Sequence, residues 1–202
     1  MFCLPRTVAT KSGLKPSKSM GELSCPFDLA ACKSFDEITK LIDNRFSNFY
    51  DNLTFREDIC FWENRELQIV FNHDSSLTKE EFIQRYDNRI KNLYYYLSDE
   101  NSFKHILISF QKTVTRKQIT NMKRVLNKFI PDNRFDITII NLSPEKFPFF
   151  IENVRIIDLH RHYKTFQKLK GNGFYRMITE KKLTIPRLIF LKIVKELKRT
   201  VL

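Results

Sequence analysis

Residues 105–142 read HILISFQKTVTRKQITNMKRVLNKFIPDNRFDITIINL, and their pattern sets the architecture. Ile106 to Phe110 and Ile137 to Ile140 are nearly continuous in apolar residues, as strands covered on both faces are. Between them Thr115 is followed three residues later by Gln118, a pair that satisfies free N–H groups in the first turn of a helix. Ile119, Met122, Leu126 and Phe129 then recur at helical spacing. Strand, capped helix and strand make a βαβ unit, so the two strands are expected to be parallel and adjacent or near-adjacent, bridged by a helix over Thr115 to Ile130. The fold class that follows is α/β: a layered sheet with at least one parallel βαβ unit, flanking amphipathic helices and a basic C-terminal helix.

Working outward, the same capping signature appears at Ser34 with Glu37 and at Thr78 with Glu81. Each is followed by a helical apolar pattern, Ile38, Leu41, Ile42 and Phe49 in one, and Phe82, Tyr86, Ile90, Leu93 and Leu97 in the other. Further β-rich runs are Ile59 to Trp62, Leu67 to Phe71 and Val154 to Leu159. Ser143 to Phe150, with two prolines and three phenylalanines, reads as a loop pressed on the core. Gly171-Asn172-Gly173 marks a turn, and Thr184 to Leu202 reads as a last helix with Pro186 in its first turn.

A chain of 202 residues, 42% apolar and 29% charged, suits one well-buried core. Its 19 Phe against 4 Gly predict a core filled with aromatic rings and few backbone positions with φ > 0, and they argue against Gly-rich phosphate loops. No apolar run is long enough for a transmembrane segment and the start has no secretory pattern, so a cytoplasmic location is expected. Cys3, Cys25, Cys32 and Cys60 include no C-x-x-C pair, which predicts free thiols. Charge is unevenly spread. Residues 161–202 hold twelve Lys or Arg against Glu180 and Glu196, a net +10 of the total +12. The expected organisation is an α/β core over residues 1–160 and a basic extension, 161–202, packed on or beside it.

Three places carry residue types suited to chemistry. Cys3 precedes a segment in which Pro5 can open a helix, and a thiol at a helix N-terminus has its pKa lowered; the plainer reading is a small apolar residue near a chain end. His73 and Asp74 follow the Leu67 to Phe71 strand, where an imidazole can serve a thiol as base and a carboxylate can fix its tautomer; the plainer reading is a solvated loop histidine. In Cys25-Pro26-Phe27-Asp28 the proline stiffens the chain before an Asp that either orients an imidazole or caps the next turn.

Taken together in this order, Cys3, the Pro26-Phe27-Asp28 motif, the helix leading to Phe46-x-x-Phe49 and the strand running into Phe71-x-His73-Asp74 resemble the papain-like cysteine peptidase family of bacteria and some large DNA viruses, known largely as a domain of unknown function. The resemblance covers roughly residues 2–142. It implies Cys3 as nucleophile, His73 as base and Asp28 or Asp74 as the orienting carboxylate. It also implies a peptide or acyl substrate, no cofactor, and a bacterial or virus-infected host cytoplasm.

Two other features have a functional reading. If the last strand runs on through Asp158-Leu159-His160-Arg161-His162, alternation puts Asp158, His160 and His162 on one face, as three metal ligands require. The competing reading, a strand end entering a solvated basic loop, is preferred, and no metal is assigned. The basic extension offers Lys181, Lys182, Arg187, Lys192, Lys195, Lys198 and Arg199 to an anionic partner, nucleic acid or membrane surface, with a core-docked helix as the plainer reading. Two functions are therefore carried forward: a cysteine-dependent hydrolase or acyl transferase working through a thioester, and a non-catalytic binding protein that holds an acidic partner with its C-terminus.

Overall fold

The computed structural model of the protein describes residues 5–6, 9–10, 15, 23–28, 30–71, 73–158, 191 and 194–195. In chain order the elements are β1 (Ala31–Cys32), α1 (Phe35–Asp43), β2 (Leu53–Arg56), β3 (Phe61–Asn64), β4 (Ile69–Phe71), α2 (Lys79–Ser98), β5 (Lys104–Phe110), α3 (Arg116–Leu126), β6 (Phe135–Asn141) and β7 (Val154–Asp158). Short 3-10 turns lie at Pro26–Asp28 and Pro131–Asn133, and Pro5, Arg6, Ala9, Thr10, Leu191, Val194 and Lys195 also have helical backbone.

The βαβ unit is present: β5 and β6 run parallel with Ile106 opposite Ile137 and Ile108 opposite Ile139, and α3 lies between them in the chain. A third strand, β7, joins parallel to β6, giving the order β5-β6-β7. The rest of the architecture is not layered onto this sheet by pairing. A separate antiparallel sheet, in the order β1-β4-β3-β2, is built from residues 31–71.

The three helices begin where their caps predict. The Ser34 hydroxyl accepts the Glu37 N–H, and Thr78 with Glu81 and Thr115 with Gln118 form reciprocal capping boxes. Their ends differ from expectation. The helix expected to reach Phe49 stops at Asp43, because Arg45 and Phe46 turn left-handed at φ 55° and 61° and the Phe46 N–H closes on the Leu41 carbonyl at 2.8 Å. Phe46 and Phe49 are nonetheless buried. Likewise α3 ends at Leu126, not Ile130. The strand expected over Ile59 to Trp62 is shifted to Phe61–Asn64, since Cys60 takes φ 50° in the turn and leaves Ile59 exposed.

Few positive-φ positions were expected, yet eight non-glycine residues adopt one among the described residues. Four of them are Asn or Asp (Asn52, Asp132, Asn133 and Asn153), whose short side chains tolerate this region. The others are Arg45, Phe46, Cys60 and Gln68.

One hydrophobic cluster spans both sheets, from Trp62, Phe71 and Leu41 to Ile137 and Ile139. Its centre is aromatic. Phe71 meets Phe82, Tyr86 and Phe49 with centroids 4.9, 5.0 and 5.6 Å apart, edge-on geometries that add to the area these rings bury. Helix α1 packs on α3, with Gln118 donating to Asp36 at 2.8 Å and Lys128 to Asp43 at 2.5 Å across the contact.

Candidate active site

The turn Pro26–Asp28 is organised by its own aspartate. The Asp28 Oδ2 accepts the Cys25 N–H at 2.8 Å, and the Asp28 N–H returns to the Cys25 carbonyl at 3.2 Å. The same carboxylate receives Lys15 Nζ at 2.9 and 3.0 Å and Arg6 Nη1 at 3.4 Å, and Arg6 also donates to Ser24 Oγ at 3.2 Å. Asp28 is thus both a turn cap and the acceptor for two cations of the N-terminal segment. Pro5, Arg6, Ala9 and Thr10 in that segment have helical backbone.

From this turn the chain enters β1, which pairs antiparallel with β4, Ala31 opposite Val70. The segment before β1 and the segment after β4 therefore leave the sheet at the same end. The residues after Phe71 diverge sharply in environment: His73 is exposed and Asp74 is fully buried. Asp74 accepts Arg85 Nη1 at 2.7 Å, the Tyr86 hydroxyl at 2.8 Å and Arg89 Nη1 at 3.4 Å. Arg89 lies over the Tyr86 ring, 4.6 Å from its centroid. Burial and the Asp74 carboxylate push the Tyr86 phenol well above its ordinary pKa.

Helix α2 is the common brace. Its Arg89 holds Asp74, and one turn on, Asn92 donates to the Ser24 carbonyl at 3.0 Å. Two positions three apart on a helix are separated by about 4.5 Å along its axis, so the His73-Asp74 corner and the Ser24 to Asp28 turn are fastened to neighbouring points. The Leu23 N–H, given to the Tyr96 hydroxyl at 3.1 Å, extends this anchorage toward the helix end.

Of the four residues assigned to catalysis, the structure brings the Asp28 turn and the His73-Asp74 corner to one end of one sheet. Cys3 lies outside the described residues. Asp74 is occupied by two arginines and a tyrosine and acts in the packing of α2 on the sheet. Sequence reading missed Lys15 and Arg6 as partners of Asp28, and Arg85, Tyr86 and Arg89 as partners of Asp74. Arg85 and Arg89, at helical spacing either side of Tyr86, were the one available signal for a buried acid nearby.

Asp158 ends β7 and accepts the Asn141 amide at 2.9 Å and the Phe147 N–H at 3.2 Å, while His160 and His162 lie outside the described residues. So do Lys181, Lys182, Arg187, Lys192, Lys198 and Arg199; Lys195 is described, helical and exposed. Cys32 is held as a neutral thiol: its sulfur faces the Ser34 and Leu67 carbonyls at 3.2 and 3.5 Å, and burial pushes its pKa up to about 11. No helix among the described residues is long and apolar enough to cross a membrane. Comparison of the chain with protein-family models, with curated proteins and with solved structures finds no match in any of the three.

Proposed function

We propose that the protein is a cysteine-dependent hydrolase or acyl transferase of the papain-like kind its motifs resemble, acting on a peptide or acyl substrate with Cys3 as nucleophile and His73 as base. One observation carries this reading: Asp28 binds Arg6 and Lys15, which ties the segment bearing Cys3 to the sheet end from which His73 emerges. Arg6 stands three residues along the chain from Cys3, and a cation brought close to a thiol favours its thiolate. In this reading Asp28 is a positioning residue, and its ion pairs replace the direct contact to imidazole that the resemblance implies.

In the reaction the imidazole of His73 takes the thiol proton as the Cys3 sulfur bonds to the substrate carbonyl carbon. The bond from that carbon to the leaving group then breaks, and the leaving group takes the proton back from His73. Water, or a second nucleophile in a transferase, cleaves the thioester and restores the thiol.

The test is alkylation by iodoacetamide at graded pH, read peptide by peptide by mass spectrometry. Cys3 is expected to react at a pH well below that needed for exposed Cys60, and His73→Ala is expected to remove that advantage. Asp28→Asn should lower it while leaving the Cys60 rate unchanged. Equal Cys3 rates in wild type and His73→Ala overturn the pairing.

A further inference from the structure

Between residues 111 and 130 the chain has six Lys or Arg and no Asp or Glu, a local excess hidden by the small net charge of residues 1–160. Five of the six lie on or just beyond α3 and form two rows on the side away from its buried stripe, Ile119, Met122, Val125 and Leu126. In the first row, Arg116 donates to the Phe150 carbonyl at 3.1 Å and Lys123 to the Glu152 carbonyl at 2.7 Å. These bonds hold two cations in place without neutralising them. In the second row, Lys117, Arg124 and Lys128 recur at helical spacing over roughly 16 Å. Arg124 and Lys128 share a single acid, Asp43, at 3.8 and 2.5 Å, so the row keeps excess positive charge. Asp36, the other acid at this contact, takes the Gln118 amide. Exposed Thr120 and Asn127 lie between the rows.

Beside the first row stands Phe150, 79% exposed on the loop that Arg116 and Lys123 fasten to the helix. Phe150 lines an open cleft of about 800 Å³, with Phe147, Phe149, Lys146 and Arg155 among the other lining residues. The acids of that cleft have partners: Asp136 faces His105 at 3.0 Å and Asp158 accepts from Asn141 at 2.9 Å.

We propose that the outer face of α3, with the Phe150 loop, is a docking surface for single-stranded nucleic acid. Two rows of cations interleaved with neutral donors suit the phosphates of a backbone, which Arg, Lys, Thr and Asn contact in this way. The exposed ring gives an unpaired base a stacking platform, which a duplex would not supply. A membrane is the poorer occupant, because the apolar stripe of α3 faces the protein core, which leaves the Phe150 ring rather than an apolar helix face to insert. This surface uses none of the residues proposed for the Cys3 and His73 chemistry or assigned to the basic extension.

The test uses the full chain and a fluorescent single-stranded oligouridylate, followed by anisotropy at low and near-physiological salt. Replacing Lys117 and Arg124 by Gln should flatten the salt dependence, by about 0.7 in the log–log slope for each phosphate no longer neutralised. Phe150→Ala should weaken binding about tenfold with the slope unchanged, because stacking on a ring releases no counterion. Both changes are at exposed side chains, so an unchanged melting temperature should accompany them. Ultraviolet cross-linking should attach the oligonucleotide to the peptide containing Phe150. Cross-links confined to residues 161–202, unaltered affinity in both variants, or equal affinity for duplex or for anionic vesicles would overturn the proposal.

Discussion

Removing the carboxylate of Asp74 tests the division of labour at the end of β4. Asp74 is completely buried, Tyr86 is completely buried, and Arg89 has a side chain only 7% exposed. In Asp74→Ala the Arg89 cation is left inside the protein without a counter-charge and the Tyr86 hydroxyl without its acceptor. Breaking a buried ion pair by deleting one partner costs about 3–5 kcal/mol. For a chain of this size each kcal/mol lowers Tm by about 2–4 °C, so a drop of roughly 6–20 °C is expected in a thermal melt followed by circular dichroism. Arg85, whose side chain is 44% exposed, makes a screened contact, and Arg85→Ala should cost less than about 1 kcal/mol. A second change, Arg89→Met in the Asp74→Leu background, should recover much of the loss, because replacing the whole pair by apolar side chains removes the desolvation penalty. An Asp74→Ala protein melting within a degree or two of wild type would refute the structural role. Loss of His73-dependent Cys3 alkylation at unchanged Tm would return Asp74 to the imidazole.

Other expectations follow from single contacts. Phe71→Ala, at the centre of the aromatic cluster, should cost about 3–5 kcal/mol in urea unfolding, whereas exposed Phe55→Ala should cost far less. Gln68 is exposed and held at φ 54° in the turn before β4, so Gln68→Gly should raise stability by up to about 1 kcal/mol; a lower Tm would show that the turn is not strained. For Cys32 the fold favours the neutral thiol, so its contribution is intact below the ordinary value of 9.0 and is lost as pH climbs toward about 11. Stability measured across that interval should fall less steeply in Cys32→Ala. Thr115→Ala, which opens the capping box of α3, should cost about 1 kcal/mol.

What could be read without coordinates was local. The capping pairs at Ser34, Thr78 and Thr115 fixed the starts of α1, α2 and α3, because a cap involves residues only three apart. The apolar runs around Ile106 and Ile137 gave the parallel pair, since a strand covered on both faces has no polar alternation to disguise it. Helix ends were less legible: α1 stops where Arg45 and Phe46 turn left-handed, a conformation that Phe46 adopts while buried in the core. In the antiparallel sheet β4 lies within the expected run Leu67 to Phe71 and β3 overlaps Ile59 to Trp62, but β1 and β2 were hidden; β1 is two residues long and owes its existence to pairing with distant β4. At the candidate site, the sequence by itself offered Asp28 and Asp74 as equal claimants for one role. Tertiary structure separated them through burial and charge: α2 carries two arginines to Asp74 and encloses it, while the N-terminal segment brings Arg6 and Lys15 to Asp28. Each acid was named by its neighbours along the chain, but its work is set by cations eleven to twenty-two residues away, which only folding brings within reach.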